Sequence, residues 1–460
     1  MKNLFSEWDI IRQTKFWFWF LIFLVTLVGC GEEPVAEVNY TPIPTATIAA
    51  TATPRTAPSG ELVVDTAVTR GVISPSVYGA NYGPWSGVPA SSLEDLQQSG
   101  ITLLRFPGGN WGDDDFVRPN QVDMLKLFVD MLDDAELVVS TNLREGTPEQ
   151  AVELMQMFKD KGLPVKYWSI GNEPNLFARK LNYEQWDTEF YNKRWREFAE
   201  AMLAYDPDIL LVGPDLSQYT AVESQNPKDD AGRDWMREFL RANGDLVDNV
   251  SFHRYPFGGT PTIDEVRATS PEWDATLPYL RELVLEETGR DIPLSVMEVN
   301  TNWSHAVGGE GTPDSFYNAI WWADSLGRII NQDVEMVGFF TLAHNDGTTL
   351  LGSNEPSPTY YVYQLYQQFG NEKLYADSGV EEVSIFAAQH EDGTVTLMVV
   401  NRGDADVTVP LRIDHYVGEK TAVLHRFDAT HKAENLGKVA VDELKLPGQS
   451  ISLYVLSNKA

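Results

Sequence analysis

The chain has 460 residues, of which 43% are hydrophobic and 11% aromatic, a composition typical of globular proteins with a sizeable core. The formal net charge of -32 argues against nucleic acid or an anionic membrane surface as a partner, because both would be repelled at long range. The single cysteine, Cys30, excludes an intramolecular disulfide and a metal site built from several cysteines.

The first 30 residues have the pattern of an export signal. Basic residues precede an apolar run over residues 16–28, which is shorter than the roughly 20 residues of a membrane span. The run ends in Leu-Val-Gly-Cys, which resembles the lipobox of bacterial lipoproteins and implies that Cys30 becomes the lipidated first residue of the mature chain. An uncleaved signal anchor is the alternative. In either case we expect the protein at the cell surface or in the periplasm, in contact with the membrane only through this N-terminal anchor.

The next segments divide into a tether and a folded body. Residues 31–60 are rich in Thr, Pro and Ala, which predicts an extended linker. From residue 76 to about residue 370, strand and helix patterns alternate, which predicts parallel strands joined by crossover helices. The predicted strands cover residues 78–82, 101–106, 136–140, 165–170, 209–212, 250–253, 294–299 and 336–341.

Short β-like runs flank this alternation on both sides. Residues 61–75 contain leading strands, and after residue 370 the helical patterns stop and β-rich runs follow, separated by turn signals such as Asp392-Gly393. We therefore predict an α/β fold, a (β/α)8 TIM barrel over residues 76–370. A C-terminal β-sandwich over residues 371–460 also takes the leading strand.

Two of the predicted barrel strands end in a glutamate. Residues 171–174 read Gly-Asn-Glu-Pro directly after the fourth strand, and Glu298 ends the seventh. Polar residues at the carboxyl ends of barrel strands face the pocket, so we expect Glu173 and Glu298 to face each other there. A proton donor and a second carboxylate are the groups that glycosidic bond cleavage needs, because its transition state is cationic at the anomeric carbon.

These motifs resemble the large clan A of retaining (β/α)8-barrel glycoside hydrolases. The Asn-Glu-Pro string of the fourth strand and Glu298 on the seventh carry the resemblance. Residues 105–110, Arg-Phe-Pro-Gly-Gly-Asn, resemble the α-L-arabinofuranosidases, whereas residues 171–177 resemble the heparanase-type β-glucuronidases. The two likenesses differ in the sugar they imply, and a β-xylosidase-like specificity also stays open.

The resemblance implies a role for each matching residue. Glu173 corresponds to the acid/base and Glu298 to the nucleophile, while Asn172 corresponds to a contact of the sugar 2-hydroxyl, and no cofactor is required. Arg105 and Tyr255 correspond to partners of the nucleophile. The chain departs from the clan at residues 339–345, where many members carry a Trp beneath the sugar and this sequence reads Phe-Phe-Thr-Leu-Ala-His-Asn.

Other polar and aromatic residues allow more than one interpretation. His253 and His344 are either hydrogen-bonded pocket walls or proton carriers. We predict Asn110, Trp111 and Trp303 as further carbohydrate contacts.

The three aspartates at 113–115 lack the spaced ligands of a calcium loop, so a solvated loop is the better prediction. The alternative to an enzyme is a non-catalytic carbohydrate-binding lipoprotein on an inactive barrel. The sequence leaves the oligomeric state open.

Overall fold

The computed structural model describes residues 56–133, 135–181, 185–344, 347–352 and 355–457. Cys30, the export signal and most of the predicted tether lie outside these ranges, as does Asn345. Within the described ranges, no helix combines the length and apolar character needed to cross a membrane.

The first strand of the folded body, β1 (Leu62–Val72), precedes a closed barrel of eight strands. All neighbouring barrel strands are parallel, and the first pairs with the last. This confirms the predicted TIM barrel. The barrel strands are β2 (Gly79–Asn81), β3 (Leu103–Phe106), β4 (Glu136–Thr141), β5 (Tyr167–Ile170), β6 (Leu210–Leu216), β7 (Asn249–Arg254), β8 (Leu294–Val299) and β9 (Met336–Phe339).

The helices of the described chain surround this barrel. Helix α4 (Pro148–Asp160) begins with a capping box, in which Thr147 Oγ1 accepts from the Gln150 N–H and the Gln150 side chain accepts from the Thr147 N–H. The α-helices are α1 (Leu93–Gln97), α2 (Trp111–Asp114), α3 (Pro119–Met131), α4 (Pro148–Asp160), α5 (Phe177–Leu181), α6 (Thr188–Tyr205), α7 (Trp235–Asn243), α8 (Ile263–Arg267), α9 (Trp273–Thr288), α10 (Phe316–Asn331) and α11 (Tyr360–Tyr366).

The fifth barrel strand extends further than predicted. The sequence pattern breaks at Gly213-Pro214, so the prediction ended at Val212, but β6 continues to Leu216. The pairing of β6 with β7 is irregular between Pro214 and Leu216, and such irregularities are where a strand tolerates proline. The extension carries Asp215 into the mouth of the barrel.

The C-terminal strands form a separate, mostly antiparallel sheet of nine strands that includes β1. In the order of the sheet, the strands are β15 (Glu434–Ala440), β14 (Thr421–Phe427), β17 (Ser450–Leu456), β12 (Val395–Asn401), β11 (Val383–Gln389), β10 (Glu372–Ser378), β1, β13 (Val407–Asp414) and β16 (Glu443–Leu446). Apolar residues from both ends of this order, such as Leu424 and Leu444, pack in one core, so the sheet folds over itself as a sandwich.

Candidate active site

Two glutamates meet at the carboxyl-terminal mouth of the barrel. Glu298 lies near the end of β8, and Glu173 lies just after β5. One carboxylate oxygen of each glutamate and a ring nitrogen of His253 all lie within 4.8 Å of one another. Both glutamates line a cavity of about 350 Å³, a size within the range of small-molecule sites.

Glu298 is held by three hydrogen-bond donors. Arg105 Nη1, at 2.7 Å, and the backbone N–H of Gly109, at 3.0 Å, donate to Oε1. The Tyr255 hydroxyl donates to Oε2 at 2.7 Å. Burial alone raises the pKa of Glu298, but the charges of His253 and Arg105, together with the side-chain bonds just named, outweigh burial and keep that pKa below its ordinary value. The side chain is therefore an oriented carboxylate ion, the state that a nucleophile needs.

Glu173 is presented to the cavity by an unusual backbone turn. Its φ of 48° and ψ of 51° are left-handed, a conformation uncommon for residues other than glycine. Its N–H donates to the Asp215 carbonyl at 3.0 Å, which fixes the turn against β6. The Glu173 side chain retains 12% exposure, compared with 6% for Glu298, so it is the more accessible of the two carboxylates.

His253, near the end of β7, lies between the two glutamates. Its Nδ1 is 3.2 Å from Glu173 Oε1 and 3.7 Å from Glu298 Oε2. Burial lowers the pKa of His253, but the charge of Glu298 and the hydrogen bond with Glu173 outweigh burial and raise that pKa. A positive charge on His253, beside the two carboxylates, is therefore favoured. The sequence left open whether His253 is a hydrogen-bonded pocket wall or a proton carrier, and these contacts support the pocket wall.

Arg105 donates hydrogen bonds to four side chains of the site. In addition to Glu298, Nη1 donates to Asn81 Oδ1 at 2.9 Å, and Nη2 donates to Asn172 Oδ1 at 2.8 Å and to Asp215 Oδ2 at 3.0 Å. The side chain is fully buried, so its charge is balanced by Glu298 and Asp215 rather than by water. Arg105 therefore fixes the Asn172 amide and the Glu298 carboxylate relative to each other.

Most of the predicted site residues come together here. Asn110, Asn172, Tyr255 and Trp303 line the cavity with the two glutamates, while Arg105 and His253 lie behind them in direct contact with the carboxylates. Trp111 is not among the described residues that line this cavity; it begins α2 and is half-buried.

The prediction of a solvated loop is wrong for Asp113. This side chain is 1% exposed and accepts hydrogen bonds from backbone N–H groups of two neighbouring loops. The run of three aspartates suggested a hydrated segment, but only Asp114 and Asp115 keep substantial exposure of their side chains.

Several functional residues were not found by sequence reasoning. Asp215 was missed because its strand was predicted too short, and Asn81 because its position at the end of β2 carries no recognisable motif. Asn81 donates to the carbonyls of Met297 and Gly338 and accepts from Arg105, so it ties β2 to β8 and β9. Phe340 lines the cavity after β9, in the segment where the clan's Trp is absent, and its ring stacks near Trp85 with centroids 6.0 Å apart.

Glu173, His253 and Glu298 also present three donor atoms that could hold a metal ion. Both Glu298 oxygens already accept hydrogen bonds, and one of these donors is the Arg105 cation at 2.7 Å. A metal ion bound beside this carboxylate would be repelled by the guanidinium. The donor set therefore fits a carboxylate kept free of metal.

Comparison with known proteins gives relatives of two kinds. No family model matches the chain. It is 26% identical to the heparanase of Bos taurus over 272 residues, which cover 55% of this chain and 47% of the relative. It is 25% identical to the intracellular exo-alpha-(1->5)-L-arabinofuranosidase of Streptomyces lividans over 282 residues, which cover 47% of this chain and 40% of that protein. The chain thus spans about half the length of the curated relatives it matches.

The fold has close counterparts among solved structures. The GH51 arabinofuranosidase of Xanthomonas axonopodis pv. citri superposes with a TM-score of 0.68 and 15% identity, covering 86% of this chain and all of that one. Barrel, terminal sheet and sequence relatives agree, which confirms the resemblance to both groups named from the sequence: the chain has the architecture of the clan A glycoside hydrolases.

Proposed function

We propose that this protein is a retaining glycoside hydrolase that cleaves glycosidic bonds of extracellular poly- or oligosaccharides. The observation that carries the proposal is the meeting of the Glu173 and Glu298 carboxylates, whose oxygens lie within 4.8 Å of each other in one cavity. Retaining enzymes place these groups about 5 Å apart, whereas inverting enzymes need about 6.5 to 9.5 Å to admit a water molecule between them and the sugar. The short separation supports direct attack by a carboxylate.

The two glutamates take different roles because their surroundings differ. Glu298 is ionised and held by Arg105, Gly109 and Tyr255, so its Oε atoms are suited to attack the anomeric carbon. Glu173 is more exposed to the cavity, so it can reach the glycosidic oxygen.

The reaction then proceeds in two displacements. Glu298 forms a bond to the anomeric carbon as the bond to the leaving oxygen breaks, and the Glu173 proton passes to that oxygen. In the second step Glu173 accepts a proton from water, the water oxygen bonds to the anomeric carbon, and the bond to Glu298 breaks.

The cavity favours a sugar with an anionic group. Arg179, on α5, is the sole Lys or Arg among the described residues that line the cavity, and it stands out in a protein of net charge -32. A guanidinium recognises a carboxylate through paired hydrogen bonds. The relatives suggest two activities, those of heparanase and of arabinofuranosidase. Arg179 supports a substrate that carries a uronic acid over one that carries a neutral pentose.

A panel of aryl glycosides tests the proposal. The parent protein, Glu298→Ala and Glu173→Gln are assayed with arabinofuranoside, glucuronide, xyloside and glucoside. We expect at least one substrate to be cleaved with retention of configuration, and Glu298→Ala to reduce kcat by about 10⁴-fold or more, since it removes the attacking atom. An unchanged kcat in Glu298→Ala would contradict the mechanism. Binding of sugar without cleavage of any substrate would favour the non-catalytic lipoprotein.

The same panel tests the anionic preference. We expect Arg179→Ala to raise KM for the glucuronide by about 10-fold, the range of a hydrogen bond to a charged group, and to leave KM for the arabinofuranoside unchanged. An equal effect on both substrates would remove the assigned role of Arg179.

We also propose that the enzyme works outside the cytoplasm on a lipid anchor at Cys30. The apolar run over residues 16–28 and the Leu-Val-Gly-Cys string support this location. We expect the parent protein to fractionate with membranes and Cys30→Ala to leave the membrane fraction or to remain unprocessed. Equal membrane fractionation and equal processing of the two proteins would contradict the anchor.

A further inference from the structure

Asp113 is a buried carboxylate that the proposed reaction does not use. It lies in the short helix α2, after β3, and its side chain is buried. Oδ1 accepts from the N–H of Leu143 at 2.8 Å and of Arg144 at 3.0 Å, and Oδ2 accepts from the N–H of Asn172 at 2.7 Å. One side chain therefore joins the loops that follow β3, β4 and β5.

The third of these bonds reaches the residue that precedes Glu173. The chain here is irregular, since Gly171 has φ of 82° and Glu173 has φ of 48° on either side of Asn172. Such a segment has no regular secondary structure to orient it, so its direction depends on external hydrogen bonds. The Asp113 carboxylate supplies one at Asn172, and the Asp215 carbonyl supplies the next at Glu173.

The environment of Asp113 keeps it available as an acceptor. Burial raises the pKa of Asp113 to about 6, against the lowering effect of the backbone N–H donors and of the Arg144 charge. Tyr191, on α6, also interacts with Asp113, and the pKa of Tyr191 is raised well above its ordinary value, first by burial. The backbone N–H groups that donate to Oδ1 and Oδ2 show that both oxygens of the side chain act as acceptors.

We propose that Asp113 is the positioning residue of the acid Glu173, because its carboxylate fixes the Asn172 peptide and thereby aims the Glu173 side chain at the glycosidic oxygen. The inference rests on the proposed hydrolase function. It assigns to Asp113 no contact with the sugar, and it predicts a defect confined to the steps in which Glu173 moves a proton.

The test compares leaving groups of different acidity. An activated aglycone such as 2,4-dinitrophenol departs without protonation, whereas an unactivated aglycone such as phenol or methanol needs the acid. We expect Asp113→Asn to lower kcat/KM for the unactivated glycoside by about 100-fold, the lower range of general acid catalysis, and to leave kcat/KM for the activated one nearly unchanged. On the activated glycoside kcat and KM should fall together, because the second displacement also depends on Glu173.

The neighbouring aspartate provides a matched control. The Asp115 carboxylate accepts from Phe116 N–H and Arg118 within its own segment, and its side chain is 41% exposed. We expect Asp115→Asn to leave both substrates at parent rates. Circular dichroism and the melting temperature check folding, and if Asp113→Asn does not fold, Asp113→Glu retains the charge but misplaces the oxygens and is expected to show the same dependence on the leaving group.

The outcomes separate the two proposals. A parent enzyme that cleaves no glycoside removes the proposed function and this inference with it. Two results with an active parent would overturn the positioning role alone and leave Asp113 as a structural residue. In the first, kcat/KM of the Asp113 variant falls by the same factor on both classes of aglycone. In the second, the variant keeps the parent kcat/KM on both.

Discussion

Tyr255 shows how a single hydroxyl sets the charge state of the reacting carboxylate. Its hydrogen bond to Glu298 Oε2 is 2.7 Å long, and burial raises the pKa of Tyr255 itself far above the usual value, so the phenol stays protonated and donates. The bond is one of the contributions that keep the pKa of Glu298 low. Loss of the hydroxyl must therefore raise that pKa.

We expect Tyr255→Phe to shift the acid limb of the pH profile to higher pH. The nucleophile acts as an ion, so activity is lost as the pH falls through the pKa of Glu298, and a higher pKa brings this loss at a less acidic pH. We also expect kcat/KM at the optimum to fall about 10- to 100-fold, the equivalent of a hydrogen bond to a charged group. Measurement of kcat/KM between about pH 4 and pH 8 checks both effects. An acid limb that does not move would contradict the proposed effect of Tyr255 on the pKa of Glu298.

Individual residues also show how far the site could be predicted from sequence. Glu173 and Glu298 were predictable because an apolar strand that ends in a carboxylate is a strong local pattern. Asp215 was not, because Gly213-Pro214 resembles a turn while the irregular pairing with β7 in fact carries the strand onward. Asp113 was misjudged because its burial depends on two loops, after β4 and β5, that are distant in sequence.

At the level of secondary structure elements, the loop after β7 and the loop after β8 shape one wall of the cavity together. Trp303 follows β8, is 59% exposed and lines the cavity, and its backbone N–H donates to the Phe257 carbonyl at 3.0 Å. Its indole ring lies against Gly258, where an added Cβ would be 2.1 Å from Trp303 Cζ2. The glycine therefore allows the ring to approach the neighbouring loop closely, and we expect the exposed part of the ring to stack on a sugar.

Gly258→Ala should therefore disturb substrate binding without disturbing the two glutamates. We expect KM to rise several-fold for the best substrate, about 1 kcal/mol of lost stacking, and kcat to stay near the parent value. Gly259→Ala is the matched control, since an added Cβ there meets no atom within 4 Å. Steady-state kinetics of both variants decide the matter, and identical KM values for the two would show that Trp303 does not contact the substrate.

Over the whole molecule, the C-terminal sheet is joined to the barrel by an ion pair at a buried carboxylate. The sheet residue Arg402 reaches the barrel, where Nε lies 3.3 Å from Asp324 Oδ2 on α10. The same carboxylate oxygen accepts from Arg328 Nε at 3.0 Å and from the Ser270 hydroxyl at 2.6 Å. The alternation of strand and helix patterns predicted the barrel, and the β-rich runs after residue 370 predicted the sheet. Nothing in the sequence pairs Asp324 with Arg402, because that contact depends on how the two parts dock.

Removal of the charge at this junction tests whether the two parts unfold together. Asp324 is fully buried, so Asp324→Asn leaves two arginines without their shared anion, and we expect a loss of about 3 to 5 kcal/mol in the free energy of unfolding. The control is Asp274→Asn, which removes the other carboxylate bonded to Arg328 at a position that is 46% exposed. For this control we expect a loss of about 1 kcal/mol or less in the free energy of unfolding.

Urea unfolding is followed by tryptophan fluorescence, which reports on the barrel because every tryptophan of the sequence precedes residue 323. Proteolysis of the C-terminal sheet is followed in parallel. If the sheet is integral, both signals shift together in Asp324→Asn. A sheet that becomes sensitive to protease while the barrel signal stays at the parent midpoint would mean that the two parts unfold independently.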